Sequence, residues 1–317
     1  MYLLITILRN FLFRCNVIKS ESYNDVCVVC VGNLRVGGTG KTPMIEYLIR
    51  NLKDEFPLAV ISLGYKRKTK GLKEVLTDSN AEDTGDEPKQ MKLKFPQIPF
   101  FVNKDRNFAI DYIRKNLPET KLILLDDAYQ YRKTQPNITV LLTEYTRPYF
   151  SDRIIPYGRL RESKKESKRA DYIIVTKCPE NIIENDKNNF IQKLNPAPHQ
   201  KIFFSKINYK PLSLPQDKKS LLFVAGIDNP EPATEFLKHA GYDVYLKKFA
   251  DHHPFSFDDI KEIRRLAGND RIIITTEKDA VRLKKFGLKF ESLKIENEID
   301  GNFIQIIKDR INNFVRQ

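Results

Sequence analysis

The chain has no tryptophan, and only four cysteines, four histidines and three methionines among 317 residues. With no second Cys/His cluster, four cysteines exclude a disulfide scaffold and a zinc module. Cys27 and Cys30 have C-x-x-C spacing, but they stand in Val26–Val31, which reads as a buried strand. Side chains three apart on a strand point to opposite faces, so this pair neither shares a metal nor closes a disulfide. Sparse, unpaired cysteine fits a reducing compartment. Also absent is an apolar run of about 20 residues, the length a spanning helix needs. Negative charge is short as well: 41 acidic residues face 54 basic ones, a net charge of +13. Such an excess attracts nucleotide phosphates, nucleic acid or anionic lipid. No nucleic-acid-reading motif accompanies it, and no obligate protein partner is expected.

The apolar start that is present, MYLLITILRNFLFRCNV, is broken by Arg9 and Arg14. It lacks the charge-first order and small-residue cleavage site of a signal peptide. On a helix, Leu3, Ile7 and Phe11 share a face with Leu4 and Leu8 beside them. Such a face lies either in a bilayer interface or against the protein's own core.

Beyond it, short apolar runs alternate with helical patterns. Val26–Val31, Leu58–Ser62, Phe100–Val102, Leu122–Leu125, Ile138–Leu142 and Tyr172–Thr176 read as buried strands, and Pro43–Leu52 as an amphipathic helix. Alternation of this kind predicts an α/β fold, a P-loop-type parallel sheet flanked by helices. The segment Lys210–Ser220, with two prolines, reads as a linker into a second, smaller α/β domain. The expected division is 1–212 and 213–317, with the final helix, about Gly301–Val315, free to pack on either domain.

The strongest motif is Gly37-Gly38-Thr39-Gly40-Lys41-Thr42, placed after a strand and before a helix. Its glycines let backbone amides wrap phosphate oxygens, and the helix N-terminus adds partial positive charge. Lys41 reaches the β and γ phosphates of ATP, and the Thr42 hydroxyl suits Mg²⁺. Arg35 stands where the usual pattern has its first glycine. The metal carboxylate comes from Asp126 or Asp127, which end the apolar strand Leu122–Leu125.

These residues, with SLGYKR (62–67), GDEP (85–88), Asp105-Arg106, DDAYQ (126–130), PYGRLRE (156–162), GIDNP (226–230), DHH (251–253) and TEKDAVRL (276–283), resemble the tetraacyldisaccharide 4′-kinase family. The resemblance covers most of the chain, with Leu63, Lys66, Ala128 and Tyr129 departing from the family pattern. It implies transfer of the ATP γ-phosphoryl group to the 4′ hydroxyl of an acylated glucosamine disaccharide. It also implies a peripheral enzyme on the cytoplasmic face of the inner membrane, whose anionic surface the basic charge would meet. Asp86 and His252 are the implied acid–imidazole pair for deprotonating the hydroxyl. Arg161 is the candidate for a phosphate or transition-state contact. Tyr65, Arg67, Asp105 and Arg106 are candidates for the substrate headgroup, and Lys278 and Asp279 for the nucleotide side of a cleft between domains. The plainer readings are that Asp86 starts a helix, that His252 is a surface residue, and that the basic run Arg159–Arg169 is a solvated or lipid-facing segment. A rival function is a membrane-associated P-loop switch ATPase without an acceptor, but it leaves GDEP and DHH unexplained.

Overall fold

A computed structural model describes residues 2–215 and 219–316. Part of the linker predicted over Lys210–Ser220, at 216–218, lies outside the described residues, as do Met1 and the side chains of Leu3 and Leu4. In chain order the first half contains α1 (Tyr2–Arg14), β1 (Cys27–Asn33), α2 (Lys41–Leu52), β2 (Leu58–Ser62), β3 (Lys73–Glu74), α3 (Ala81–Thr84), α4 (Asp86–Lys94), β4 (Phe100–Val102), α5 (Arg106–Asn116), β5 (Leu122–Asp126) and β6 (Ile138–Glu144). Then follow β7 (Tyr172–Thr176), α6 (Glu184–Leu194), β8 (Lys201–Tyr209), β9 (Ser220–Ala225), α7 (Glu231–His239), β10 (Asp243–Lys248), α8 (Phe257–Ala267), β11 (Ile272–Thr276), α9 (Glu277–Leu283), β12 (Glu291–Leu293), β13 (Ile295–Ile299) and α10 (Phe303–Val315).

Among the described residues the strands form two sheets. The larger runs β13-β8-β7-β6-β1-β5-β2-β4-β3, and the smaller β10-β9-β11-β12. The larger is parallel except at its edges, where β13 and β3 pair antiparallel with β8 and β4. Its inner strands are buried on both faces, which is why they read as continuous apolar runs rather than alternating ones. Cys27 and Cys30 fall in separate clusters on opposite faces of β1, and burial pushes both thiols up to about 12.

The chain enters the smaller sheet from β8 and returns through β13, so two antiparallel strands join the two layers. The last helix, left open by sequence, packs on the larger sheet: Phe303, Ile307 and Ile311 share a cluster with Met44, Leu48 and Leu52 of α2. The site follows from topology. From β1 the chain crosses to β2 on one side and later fills β6 on the other. The crevice beyond the carboxyl end of β1 is therefore where such a sheet takes a ligand.

Candidate active site

The phosphate loop fills that crevice. Gly37 and Gly40 hold φ of 120° and 89°, which side-chain-bearing residues rarely adopt. Gly40 caps α2 without a side-chain hydrogen bond, so first-turn amides have no side-chain acceptor there and suit phosphate oxygens. Asn33 Nδ2 donates to Thr39 Oγ1 at 2.6 Å, and Thr176 Oγ1 donates to the Thr39 carbonyl at 2.9 Å, pinning the loop to β1 and β7. Lys41 Nζ lies 3.6 Å from Asp127 Oδ2 and 3.5 Å from Asn33 Oδ1. Thr42 is half-buried in the first turn of α2.

Strand β5 delivers the carboxylates beside Lys41. A Cβ at Gly32 would come within 2.6 Å of Tyr129 Cβ, so glycine there lets β1 pack against the turn that follows β5. Asp126 is buried, and Ser62 Oγ donates to its Oδ2 at 2.9 Å while Oδ1 has no hydrogen-bond partner. Burial, and then the charges of Glu87 and Asp127, push its carboxyl from 3.8 to about 7. At Asp127 burial also acts upward, but Lys41 and Arg161 outweigh it and hold the carboxyl below the usual range. Arg161 grips Asp127 in a fork, at 2.9 Å to Oδ1 and 3.2 Å to Oδ2, and also reaches Asn33 Oδ1.

Mg²⁺ takes oxygen ligands and keeps several from water or phosphate. The orphaned Oδ1 of Asp126 and the Thr42 hydroxyl fit that demand. Among the described residues no three His, Cys, Asp or Glu side chains converge as a metal cluster, so phosphate and water would supply the remaining ligands.

The two motifs that sequence alone could not join meet across the sheets. Asp86 opens α4, with its carboxylate at the positive end of that helix. His252 lies 166 positions later, beyond β10, and its Nδ1 is 3.4 Å from Asp86 Oδ2. Its backbone is left-handed, with φ 58°, a conformation that persists in a non-glycine residue only where its surroundings hold it. Lys278 Nζ is 2.9 Å from His252 Nε2. An ammonium only donates, so Nε2 accepts and the ring proton of neutral His252 sits on Nδ1, facing Asp86. The Tyr65 ring meets the imidazole edge-on, with centroids 5.6 Å apart.

The other predicted residues separate into two groups. Tyr65 is exposed beside His252, whereas Arg67 folds back to donate to the Gly71 carbonyl. Asp105 caps α5, accepting from Phe108 N at 3.2 Å and from Tyr131 Oη at 2.7 Å. Arg106 is buried, donates to the Asn103 and Lys104 carbonyls, and stacks over Tyr131 at 5.3 Å. Asp279 is fully buried; it accepts from Gly226 N at 2.9 Å and Thr276 Oγ1 at 2.7 Å and pairs with Arg282. Sequence reasoning passed over Arg282, whose Nε lies 3.5 Å from Asp86 Oδ2, and Glu87, 3.6 Å from Lys278 Nζ. Both stand inside quoted motifs, but nothing in their spacing says that they face one another.

Helix α1 is seated polar side inward. Thr6 and Asn10 are buried, while Ile5, Leu8 and Phe11 are 59%, 59% and 57% exposed. Arg9 pairs with Glu162, and Arg14 with Glu166. These carboxylates, 0% and 3% exposed, are the two acidic residues of the basic run Arg159–Arg169. That run is therefore the seat of α1, not a fully solvated face. No helix among the described residues is long and apolar enough to cross a membrane.

Comparison with known proteins bears on both sheets together. The family model for tetraacyldisaccharide-1-P 4′-kinase (LpxK) matches residues 1–312. The tetraacyldisaccharide 4′-kinase of Flavobacterium johnsoniae is 41% identical over 98% of this chain and 96% of its own. That of Bacteroides thetaiotaomicron is 38% identical over 98% and 89%. LpxK from Aquifex aeolicus, whose crystal structure is a complex with ATP, matches at a TM-score of 0.78 and 26% identity, covering 99% of this chain and 96% of that one. With likeness in sequence and fold spanning almost its whole length, this chain belongs to the tetraacyldisaccharide-1-phosphate 4′-kinase family.

Proposed function

We propose that this protein transfers the γ-phosphoryl group of ATP to the 4′ hydroxyl of a tetraacylated glucosamine disaccharide 1-phosphate. The observation that carries this reading beyond a generic ATPase is the meeting of Asp86 and His252, from motifs 166 positions apart, at 3.4 Å. A switch ATPase without an acceptor substrate leaves the joining of these two motifs unexplained. A sugar hydroxyl is a poor nucleophile at neutral pH, and a positioned base must take its proton.

The roles follow from the contacts. Lys41 and the first-turn amides of α2 receive the β and γ phosphates. Thr42 and Asp126 are the residues that would hold Mg²⁺, which neutralises charge on the phosphate oxygens when bound. Asp127, already engaged by Lys41 and Arg161, orients those two cations toward the transferring group. Asp86 accepts the hydroxyl proton, and the Nδ1–H of His252 fixes the direction of that carboxylate. Tyr65 offers a flat face beside His252 to the sugar. Arg67, Asp105 and Arg106 shape the surrounding wall. Catalysis here is mainly placement and charge stabilisation.

The lipid part of the substrate accounts for α1. Its exposed Ile5, Leu8 and Phe11 suit the boundary between headgroups and acyl chains, where burying each is worth roughly 1.5–3 kcal/mol. The net charge of +13 suits an anionic surface. Both support a peripheral enzyme on the cytoplasmic face of the inner membrane. The test is incubation with Mg-ATP and a tetraacyl disaccharide 1-phosphate, followed by mass spectrometry. Appearance of a second phosphate at the 4′ position is expected. ATP hydrolysis without a lipid product would contradict the proposal.

A further inference from the structure

Beside the phosphate loop lies a second ionic cluster. At the end of β6, Glu144 is 1% exposed and faces three cations. Lys177 pairs with its Oε1. Arg147 Nε lies 2.8 Å and Arg35 Nη1 3.5 Å from its Oε2. Burial acts upward on this carboxyl, but Lys177 and Arg147 hold it below the usual range.

Each cation leads to a different boundary of the loop. Lys177 follows β7 with a left-handed φ of 57° and donates to the Gly38 carbonyl inside the loop. Arg35, in the place of the usual first glycine, also binds Asp152 Oδ2 at 2.8 Å. Arg147 reaches Asp228 Oδ2, in the GIDNP segment after β9, at 2.9 Å. A Cβ built on Gly37 would lie 3.9 Å from Arg35 Nη1 and 4.0 Å from Asp228 Oδ2, so the cluster borders the loop's glycines directly.

We propose that Glu144, acting through Lys177, is a positioning residue for ATP. A loop with three glycines has many backbone conformers to lose. With the Lys177 ammonium held on the Gly38 carbonyl, that peptide is fixed, and the neighbouring amides stay turned toward the phosphates. The strained backbone of Lys177 is kept because the side chain is anchored at both partners. Neither Glu144 nor Lys177 is asked to touch substrate. Arg35 and Arg147 attach the same carboxylate to the loop's entry and to the smaller sheet.

This inference rests on ATP as the phosphoryl donor. If that reading fails, the wild-type protein itself makes no phosphorylated lipid, so the two failures are separable. The test is steady-state kinetics on Glu144→Gln, Lys177→Met, Lys177→Arg and the double variant Glu144→Gln/Lys177→Met, with thermal melts to establish folding. Glu144→Gln and Lys177→Met are expected to raise KM for ATP about 10- to 100-fold, the worth of one charge-assisted hydrogen bond. The KM for lipid should stay unchanged, Lys177→Arg should recover part of the loss, and the double variant should be scarcely worse than either single one. If Glu144→Gln does not fold, Lys177→Met, whose side chain sits at the edge of the cluster, carries the test. An unchanged ATP KM in Lys177→Met, or an equal rise for ATP and lipid, would overturn the proposal. So would a large effect of Lys177→Met beside a normal, folded Glu144→Gln, because Lys177 would then be acting on ATP itself.

Discussion

Two adjacent carboxylates, Asp126 and Asp127, differ in what surrounds them, and the roles proposed for them follow from that difference. Asp127 is neutralised by Lys41 and Arg161, whereas Asp126 has one bare oxygen in a buried setting. The folded carboxyl of Asp126 titrates near 7 rather than 3.8. The metal-free native state therefore binds a proton that the unfolded chain releases, so this group's contribution to stability falls as pH rises from about 4 to 7. Asp126→Asn removes that burden. The metal-free variant is expected to melt higher than wild type at pH 8, with little gain at pH 4, while losing phosphoryl transfer and stabilisation by Mg²⁺. Equal shifts at both pH values in calorimetry would count against the assignment. Lys41→Ala is expected to abolish turnover with the fold intact, since it removes the charge facing the β and γ phosphates. Near-normal turnover in that variant would end the P-loop assignment. The phosphate loop before α2 and the strand ending in Asp126 and Asp127 were legible in sequence because local patterns mark them. Ser62, Arg282 and Lys177 were not, because a serine ending a strand or a cation in a basic chain carries no sign of what it will face.

Among the elements, the buried strands were readable as uniform apolar runs, and β1, β2, β4, β5, β6 and β7 stand within two residues of their expected places. Strands β8 and β13 escaped notice. Their burial is partial and mixed, as befits an antiparallel ribbon leaving the sheet edge, so neither a continuous run nor clean alternation marks them. Helix α1 was legible as amphipathic, but its pattern did not say which side faces inward. The answer lies in Glu162 and Glu166, more than 150 positions away from their partners Arg9 and Arg14. Substituting Ile5, Leu8 and Phe11 together with Asn is expected to weaken binding to anionic vesicles about tenfold or more, with ATP affinity and melting temperature nearly unchanged. Removal of residues 1–17 should do the same to vesicle binding. If vesicle sedimentation is unaffected by either change, the helix does not face lipid.

Across the whole molecule, two sheets joined by β8 and β13 bring GDEP and DHH to one crevice. The family resemblance implied an acid–imidazole pair from these motifs, but nothing in the sequence brings them together, since the pairing depends on how the smaller sheet folds back over α4. The Asp86–His252 contact is therefore the point where fold and chemistry are tested at once. If Asp86 takes the proton and His252 only orients it, the two share one task, and losses from removing them do not multiply. The direct measurement is a double-mutant cycle on 4′-phosphorylation under saturating Mg-ATP. Asp86→Ala and His252→Ala are each expected to lower turnover by on the order of 100-fold or more, with ATP affinity near normal and the double variant scarcely worse than either. Fully multiplicative losses, or near-normal turnover in either single variant, would contradict the account.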